Sequence, residues 1–328
     1  MEIVTLLAVV GIVGVGVAVV AVRSNRRRKE IWSRFAAERG GVHRVPAGWF
    51  TRERERIEVV MHGVWLVLET YSTGSGKNRT DYTRWAAASR YPNGPRCKVY
   101  REGFFSSIGK ALGTQDVVLG ADAAFDNAFM VKCDRPEVMR RLWTPPAMQH
   151  LLGWFPNGTV ESDGTTIALT EVGVASDPAR MQAGLDLISD LASRDCYGSN
   201  ALQEVGGPGF AQTEHGPLAA LDAPTRVVLQ AEPVNGQLVT VARLGADPGL
   251  APMRLELDEN GRPSDPALAS ALPQGAQVYL RQVGAGTLSI EAGAHFSWRG
   301  IQTDPARLRA AAQLLGALST GGAGGVFR

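Results

Sequence analysis

The sequence contains few of the residues that bind metals or act as nucleophiles. Its 328 residues include three cysteines without a CxxC pair, and five histidines with neither HxH nor HExxH spacing. They are Cys97, Cys133 and Cys196, and His43, His62, His150, His215 and His295. Zinc sites and disulfide frameworks need closer, paired spacings. We therefore predict no metal and no cofactor, and a thiol content suited to a reducing cytosol.

Recognisable catalytic motifs are also lacking. The sequence has no GxSxG elbow, and the stretch GSGKN at residues 74–78 only resembles the end of a phosphate-binding loop. Tyr71 stands where that loop needs its first glycine, and Asn78 stands where it needs a hydroxyl group for magnesium. This stretch is therefore interpreted as a turn between strands.

Three aspartates lie close together in the sequence, at Asp122, Asp126 and Asp134. Acid–base catalysis needs paired carboxylates within a few ångströms, but aspartates that flank a strand more often cap turns and helices. We interpret them as capping residues. No catalytic residue is predicted.

Positive charge is concentrated in one short segment. Residues 23–39 carry seven basic and two acidic side chains, a net charge of +5, whereas the whole chain has a net charge of +2. A nucleic-acid surface needs cationic side chains spread over a folded face, so nucleic acid is not a predicted partner. A short basic cluster favours anionic lipid headgroups. The predicted membrane-surface residues are Arg23, Arg26, Arg27, Arg28, Lys29 and Trp32.

A long hydrophobic run precedes this cluster. Residues 3–22 contain no charged side chain and would form a helix about 30 Å long, enough to cross a bilayer. A cleaved signal peptide is the alternative, but it needs a basic start, whereas this chain begins Met1-Glu2. The basic cluster should stay on the cytoplasmic side. We predict a transmembrane anchor over residues 1–22 in the bacterial inner membrane, single-pass, with the body in the cytoplasm.

Small residues recur on one face of the predicted membrane helix, at Gly11, Gly14, Ala18 and Ala21. Such a face lets two helices approach closely. Homodimerisation through this face is therefore a hypothesis, and the bilayer itself is a predicted partner.

The segment after the anchor, residues 23–41, is predicted to form a basic juxtamembrane helix that ends at Gly40-Gly41. Its apolar stripe consists of Ile31, Trp32, Phe35 and Ala36. Two interpretations are open: the stripe lies in the membrane interface, or it packs on the following domain.

One pattern occurs twice in the chain. SDPARMQAGLDLISDLA at residues 176–192 is matched by TDPARLRAAAQLLGALS at residues 303–319, and each follows a predicted strand, turn and strand. An aspartate followed by a proline suits the start of a helix in both copies. Further upstream, hairpins are predicted to turn near His62-Gly63 and Asn235-Gly236.

These parallels predict an α+β protein with an N-terminal transmembrane helix and two related domains, each an antiparallel sheet covered by helices. The predicted domains cover residues 42–196 and 225–320, the second a divergent repeat of the first. A Gly/Pro-rich linker is predicted at 197–224 and a flexible tail at 321–328. A single continuous sheet built from both halves is the alternative.

The apolar segment RRLWTPPAMQHLLGWF, residues 140–155, contains two tryptophans, Trp143 and Trp154. Aromatic side chains supply much of the energy of protein interfaces, so this segment is a candidate surface for an unknown protein partner. Packing in a core is the alternative interpretation.

The region around this segment resembles a pattern found in uncharacterised bacterial membrane-anchored proteins with a cytoplasmic domain of unknown function. The residues are Phe125-Asp126, Phe129, Val131, Asp134, Leu142-Trp143-Thr144-Pro145 and Leu151-Leu152, together with the Trp-containing helix at residues 32–37. The resemblance covers about residues 1–195. It implies a membrane-tethered cytoplasmic domain and brings no activity with it.

The sequence therefore predicts a membrane-tethered, non-enzymatic binding or scaffolding protein whose cytoplasmic body recruits a protein partner. Two alternatives stay open. One is a membrane-proximal enzyme, hydrolase-like, whose site is assembled from dispersed residues. The other is a protein that binds lipid or another small ligand.

Overall fold

The computed structural model describes residues 23, 25–46, 54–90, 94–101, 115–213, 216–222, 225–234, 237–291 and 293–322. The predicted membrane span, with its small-residue face at Gly11, Gly14, Ala18 and Ala21, lies outside these residues. Within the described ranges, no helix combines the length and the apolar character needed to cross a membrane.

The described residues form sixteen strands and nine α-helices. The strands are β1 (Val42–Arg44), β2 (Arg56–Met61), β3 (Val64–Thr73), β4 (Thr80–Ala88), β5 (Arg96–Arg101), β6 (Gln115–Asp116), β7 (Phe129–Cys133), β8 (Thr159–Asp163), β9 (Thr166–Val172), β10 (Phe210–Thr213), β11 (Gly216–Leu221), β12 (Val227–Val234), β13 (Gln237–Leu244), β14 (Met253–Leu257), β15 (Gly286–Ile290) and β16 (Ala294–Trp298). The helices are α1 (residues 25–37), α2 (Ala123–Ala128), α3 (Pro136–Leu142), α4 (Pro145–Trp154), α5 (Pro178–Ser193), α6 (Ser199–Gly206), α7 (Pro266–Ser270), α8 (Gln274–Val283) and α9 (Pro305–Gly322).

The chain divides into two compact units. The first contains the described parts of Met1–Arg90, Arg96–Cys133 and Trp143–Ser193, and the second contains those of Tyr91–Pro95, Asp134–Leu142 and Arg194–Arg328. Each unit has its own antiparallel sheet covered by helices, which confirms the α+β prediction. The two sheets are separate, so the alternative of one continuous sheet was wrong.

The first unit is built on a nine-stranded sheet in the order β1-β2-β3-β4-β9-β8-β5-β7-β6. Along β3, Val64, Leu66 and Leu68 are buried while Trp65 is exposed, the alternation expected when one face of a strand is covered. The β2–β3 hairpin turns at His62 and Gly63, which have φ angles of 51° and 75°. Both lie in the left-handed region that a two-residue hairpin turn requires, so this predicted turn is confirmed.

The core of the first unit lies between the sheet and α5. This helix crosses β3, β4 and β9, and α4 packs beside it. Trp85 of β4 is fully buried, and its Nε1 donates to the carbonyl oxygen of Met181 at 3.1 Å. Phe155 packs edge-on to Trp85, at 5.3 Å between ring centroids.

The second unit is built on a seven-stranded sheet in the order β10-β11-β12-β13-β16-β15-β14. Helix α9 lies across β12, β13 and β16, and α8 packs beside α9. The core includes Leu229, Phe296 and Leu314, each fully buried. The turn predicted at residues 235–236 lies outside the described residues.

The two repeated helices begin as the sequence predicts. Helices α5 and α9 start at Pro178 and Pro305. The side chain of Asp177 accepts the amide of Ala179 at 3.0 Å, and that of Asp304 accepts the amide of Ala306 at 2.9 Å. Each aspartate therefore satisfies a backbone donor that the helix leaves unpaired.

The strand order of the second sheet recurs within the first. The run β1-β2-β3-β4-β9-β8-β5 corresponds step by step to β10-β11-β12-β13-β16-β15-β14, and the first sheet continues with β7 and β6. In the structure β14 pairs with β15, whereas β7 pairs with β5 and β6.

The segment predicted to be a linker, residues 197–224, instead contributes α6, β10 and β11 to the second unit. Its glycines permit close packing, because a Cβ at Gly206 would lie 2.7 Å from that of Ala219 and one at Gly209 would overlap the carbonyl of Ala220. The predicted tail begins within α9, which continues to Gly322.

Helix α3 also differs from expectation. Residues 134–142 were assigned to the first domain, but they group with the second unit, where α3 contacts β13. Arg135 donates to the hydroxyl of Tyr197 at 2.8 Å, and Arg141 donates to the carbonyl oxygen of Cys196 at 2.8 Å. The position of residues 134–142 along the chain, between segments of the first unit, did not predict their packing in the second unit.

Candidate functional site

Helix α1 is packed on the first unit through its apolar stripe. Trp32, Phe35 and Ala36 are buried, and Trp32 Nε1 donates to the carbonyl oxygen of Ala175 at 2.9 Å. The interpretation in which the stripe packs on the following domain is therefore confirmed. Trp32 was wrongly assigned to the membrane surface, because its indole is enclosed by protein.

Both ends of α1 are also held by polar contacts. Near the start, Arg28 donates to Glu55 at 2.8 Å. At the end, Arg39 donates to the side chain of Gln182, and its guanidinium lies 3.6 Å from the centre of the Phe35 ring. These contacts, added to the buried stripe, fix the helix against the sheet and α5.

A connected polar group lies beneath α1. His43 Nε2 is 3.2 Å from Glu55 Oε1, and His43 Nδ1 is 2.8 Å from the hydroxyl oxygen of Ser33. The side chains of His43 and Glu55 are only 5% and 8% exposed. Ser33 is exposed on α1. The structure thus aligns a hydroxyl, an imidazole and a carboxylate, which sequence reasoning did not identify.

The opposite side of α1 presents basic side chains to solvent. Arg23, Arg26 and Arg27 are exposed, and Lys29 is half-buried. Arg26 forms an exposed ion pair with Glu30 at 3.1 Å, which is worth little in water. Arg28 differs from the others because it is committed to Glu55. A shallow depression along α1 is lined by Asn25, Arg26, Lys29, Glu30, Ser33 and Arg34.

The two tryptophans of the predicted partner surface differ in exposure. Trp143 is fully buried and lies 5.4 Å from the ring of Phe125, so its assignment to a surface was wrong. The sequence could not exclude this assignment, because an apolar segment has the same composition whether it packs in a core or binds a partner. Trp154 is 40% exposed.

A second exposed apolar pair was not identified from the sequence. Val60 and Trp65 face each other across β2 and β3, and they are 63% and 59% exposed. They lie on the face of the sheet opposite to buried Val59 and Leu66. Their outward direction could have been predicted from strand alternation on either side of the turn.

Two of the three aspartates, Asp122 and Asp126, accept backbone amides as expected of capping residues. Asp122 accepts the amides of Ala124 and Phe125 at the start of α2. Asp126 accepts the amides of Leu119 and Gly120 at 3.1 and 2.8 Å. Hydrogen bonds from Phe125 and then from Gln149 keep the pKa of Asp122 below its usual value, so it stays an ionised cap.

The cysteines are closer together than their sequence spacing suggested. Cys97 and Cys133 are directly opposed across β5 and β7, and both are buried. Cys196 is also buried, which raises the pKa of its thiol to about 12 and makes it a poor nucleophile at neutral pH. Over the residues that the structure describes, no group of three or more His, Cys, Asp or Glu side chains could hold a metal ion.

The fold and this site define an α+β protein of two helix-covered antiparallel sheets with a basic helix docked on the first. No protein family matches the sequence, and no curated protein does. One solved structure, the mycobacterial trehalose monomycolate transport factor A, TtfA, is similar over 51% of this chain and 93% of its own. Its TM-score is 0.37 and its sequence identity 11%, a likeness too weak to carry an argument about function.

Proposed function

We propose that this protein is a membrane-tethered, non-enzymatic scaffold whose cytoplasmic body recruits a protein partner at the bacterial inner membrane. The tether is the hydrophobic run at residues 3–22, followed at once by the basic cluster. Both features support a single-pass anchor with the body on the cytoplasmic side. The resemblance to membrane-anchored bacterial proteins points in the same direction.

The observation that carries this proposal is the docking of α1. A flexible linker after an anchor would let the body move freely within its reach. Here the helix that follows the anchor is held by Trp32, Phe35 and the Arg28–Glu55 pair. The body is therefore expected to keep a fixed height and orientation above the bilayer, as a scaffold requires.

The basic side of α1 supports contact with the bilayer surface. Arg23, Arg26 and Arg27 are exposed to solvent, and Lys29 is half-buried. Each basic residue near an anionic surface contributes about 1 kcal/mol of attraction. Arg28 and Trp32 serve the docking instead.

Protein recruitment is assigned to the exposed apolar side chains. Trp154 and the Val60–Trp65 pair are each too small to be an interface alone, but aromatic anchors of this kind carry much of the energy when a partner covers them. Trp143 is excluded by its burial.

We also infer that the two units descend from one ancestral unit. The repeated segments 176–192 and 303–319 support this inference, as does the shared order of seven strands. Homodimerisation through Gly14 and Ala18 remains part of the proposal. In-cell dimerisation that persists when both are replaced by leucine would exclude that face.

Proximity labelling in the native host tests the scaffold directly. The full chain is compared with a variant lacking residues 1–22, which keeps α1 and hence the core residue Trp32. We expect a few proteins to be enriched around the full chain and to disappear without the anchor. Trp65→Ala should weaken that enrichment. Equal labelling with and without the anchor would contradict the proposal.

A second candidate function is hydrolysis near the membrane, because Ser33, His43 and Glu55 follow the order of a nucleophile, base and orienting acid. His43 would take the proton from Ser33 Oγ, and Glu55 would stabilise the resulting imidazolium. Two features make this candidate weaker. Arg28 neutralises the charge of Glu55, and Ser33 lies within α1, where backbone amides are already used by the helix and cannot form an oxyanion hole.

A fluorophosphonate probe distinguishes the two candidates. A hydrolase would become labelled on Ser33, and both Ser33→Ala and His43→Gln would abolish the labelling. Ser72→Ala, at another exposed serine, is the matched control. We expect no labelling of the full chain, and specific labelling at Ser33 would favour the enzyme over the scaffold.

A further inference from the structure

We propose that the loop between β3 and β4, residues 74–79, is a second membrane-contacting element that binds anionic phospholipid headgroups beside α1. The proposal rests on the membrane tether proposed above. It assigns a role to the GSGKN stretch, which matches no complete phosphate-binding motif.

The direction of α1 places this loop at the membrane end of the first unit. Arg28, near the start of α1, contacts Glu55 directly before β2, and Gly41, just after α1, lies against Val59 near the end of β2. Helix α1 and strand β2 therefore run in the same direction. Since β3 is antiparallel to β2, the end of β3 returns to the side where α1 begins.

The contacts of α1 with residues near α5 indicate the same direction for α1 within the first unit. Trp32 bonds Ala175 and Arg39 bonds Gln182, so α1 runs alongside the start of α5. Just before that start, the amide of Gly173 donates to the carbonyl oxygen of Asp81 at 2.7 Å. The beginning of β4 thus lies at the same end of the unit.

The loop extends far enough to meet the same surface as α1. The amide of Thr70 donates to the carbonyl oxygen of Glu55 at 3.1 Å, so Thr70 is level with Arg28. Thr73 lies three residues further along β3, about 10 Å at the rise of a strand. Residue 25, the first of α1, lies only about 5 Å beyond Arg28 at the rise of a helix.

The charge of the loop suits an anionic surface. Lys77 and Arg79 are exposed, and the acidic side chain that follows the loop, Asp81, accepts hydrogen bonds from Ser72 and from Arg79 at 3.1 Å. The pKa of Asp81 is lowered, first by the hydrogen bond from Ser72, against the opposing effect of burial, and then by Arg79. The charge of Arg28 on α1 adds to this lowering.

The loop has a defined shape that presents its lysine. Gly74 and Gly76 have φ angles of 76° and 59°, and a short 3-10 turn covers Gly76–Asn78. A Cβ at Gly74 would overlap the carbonyl oxygen of Asn78, so the tight turn requires glycine there. Lys77 sits on this turn and forms no ion pair with any residue that the structure describes.

Quenching of a fluorophore by lipid-bound nitroxides measures the approach of the loop to the bilayer. The full chain is placed in nanodiscs of phosphatidylcholine with about one third phosphatidylglycerol, a composition that supplies the surface potential. A probe is attached to Ser75→Cys, and a control probe to Val60→Cys at the other end of β2. The native thiols are buried, which favours selective labelling.

We expect strong headgroup quenching at position 75, weak quenching at position 60, and a smaller difference between the two in pure phosphatidylcholine. Lys77→Ala should lower the ratio of bound to unbound loop about fivefold. Equal quenching at the two positions in a chain that enters the nanodiscs would overturn this inference alone. A chain that does not enter them would overturn the tether, and this inference with it.

Discussion

The tryptophans Trp32, Trp143 and Trp154 illustrate how one residue type serves different ends in this protein. Trp32 joins α1 to the body through Ala175, Trp143 fills the core beside Phe125, and Trp154 is partly exposed. Composition alone could not separate them, because an apolar stripe has the same sequence whether it packs on its own domain or on a partner. Whether each tryptophan is buried or exposed depends on the residues that surround it in the folded protein.

Truncating these side chains should therefore have different consequences. Trp143→Ala is expected to destabilise the first unit by about 3–5 kcal/mol, since it leaves a cavity in a closed core. Trp154→Ala should change stability by no more than about 0.5 kcal/mol. Hydrogen exchange of the α2 and α4 amides in the full chain measures both. A large loss of protection in Trp154→Ala would show that this side chain is structural.

At the same scale, the sequence could not reveal the Ser33–His43–Glu55 alignment. The three residues are ten and twelve positions apart: Ser33 is in α1, His43 is in β1 and Glu55 directly precedes β2. No local spacing rule connects them. The capping role of Asp122 was predictable, because this side chain accepts backbone amides only two and three residues further along the chain.

At the scale of elements, α5 shows how a single small residue permits close packing. A Cβ at Gly184 would overlap the indole of Trp85, which is itself fully buried. The helix can approach β4 only because no side chain is present at this position. In α4, by contrast, the space around Gly153 is open.

Alanine at these two glycines should change stability in opposite directions. Gly184→Ala is expected to cost about 1–3 kcal/mol, because the buried ring cannot move aside and the helix must shift. Gly153→Ala should gain up to about 1 kcal/mol from helix propensity. Hydrogen exchange of the α5 and β4 amides gives both values. Stabilisation by Gly184→Ala would mean that the packing is looser than described.

Elements with strong local signals were predicted well, and those defined by distant contacts were not. The β2–β3 hairpin and the starts of α5 and α9 follow from the turn and capping residues. The stretch 197–224 was misjudged because glycine marks both flexible linkers and close backbone packing. Its helix α6 is preceded by Asp195, whose carboxylate accepts the amides of Ser199 and Asn200.

At the scale of the whole chain, the duplicated pattern was visible in the sequence, whereas the grouping of α3 with the second unit was not. A repeat can be recognised from the order of residues along the chain. The position of a short helix depends instead on the apolar surface that it covers in the folded protein. The same limit applies to electrostatics. The concentration of charge at residues 23–39 is evident from the sequence, but the clustering of Glu232, Arg243 and His295 in the second sheet arises only on folding.

That cluster predicts how the second unit responds to acid. Burial, and then the charge of Arg243, lower the pKa of His295 below 6.5, while Glu291 and Glu232 oppose this and Arg254 adds to it. The folded state therefore favours the neutral imidazole. Well above pH 6.5 the imidazole is neutral in both the folded and the unfolded chain. As the pH falls below 6.5 the unfolded chain binds the proton more readily, so the free energy of unfolding decreases. Glu232, whose pKa is also lowered, contributes a further loss only below about 4.5, because the hydrogen bonds from Arg243 and Gln230 outweigh its burial.

Hydrogen exchange of the β13 and β16 amides at pH 7.5 and 5.5, corrected for intrinsic rates, tests this expectation in the full chain. The wild type should lose protection at pH 5.5, and His295→Gln, which cannot take up the proton, should lose markedly less. Strand β9 of the first unit serves as the internal control, because acid effects that are not specific to His295 would reach it equally. Identical losses in the variant and the wild type would contradict the assignment to His295 and direct attention to the carboxylates of the same sheet.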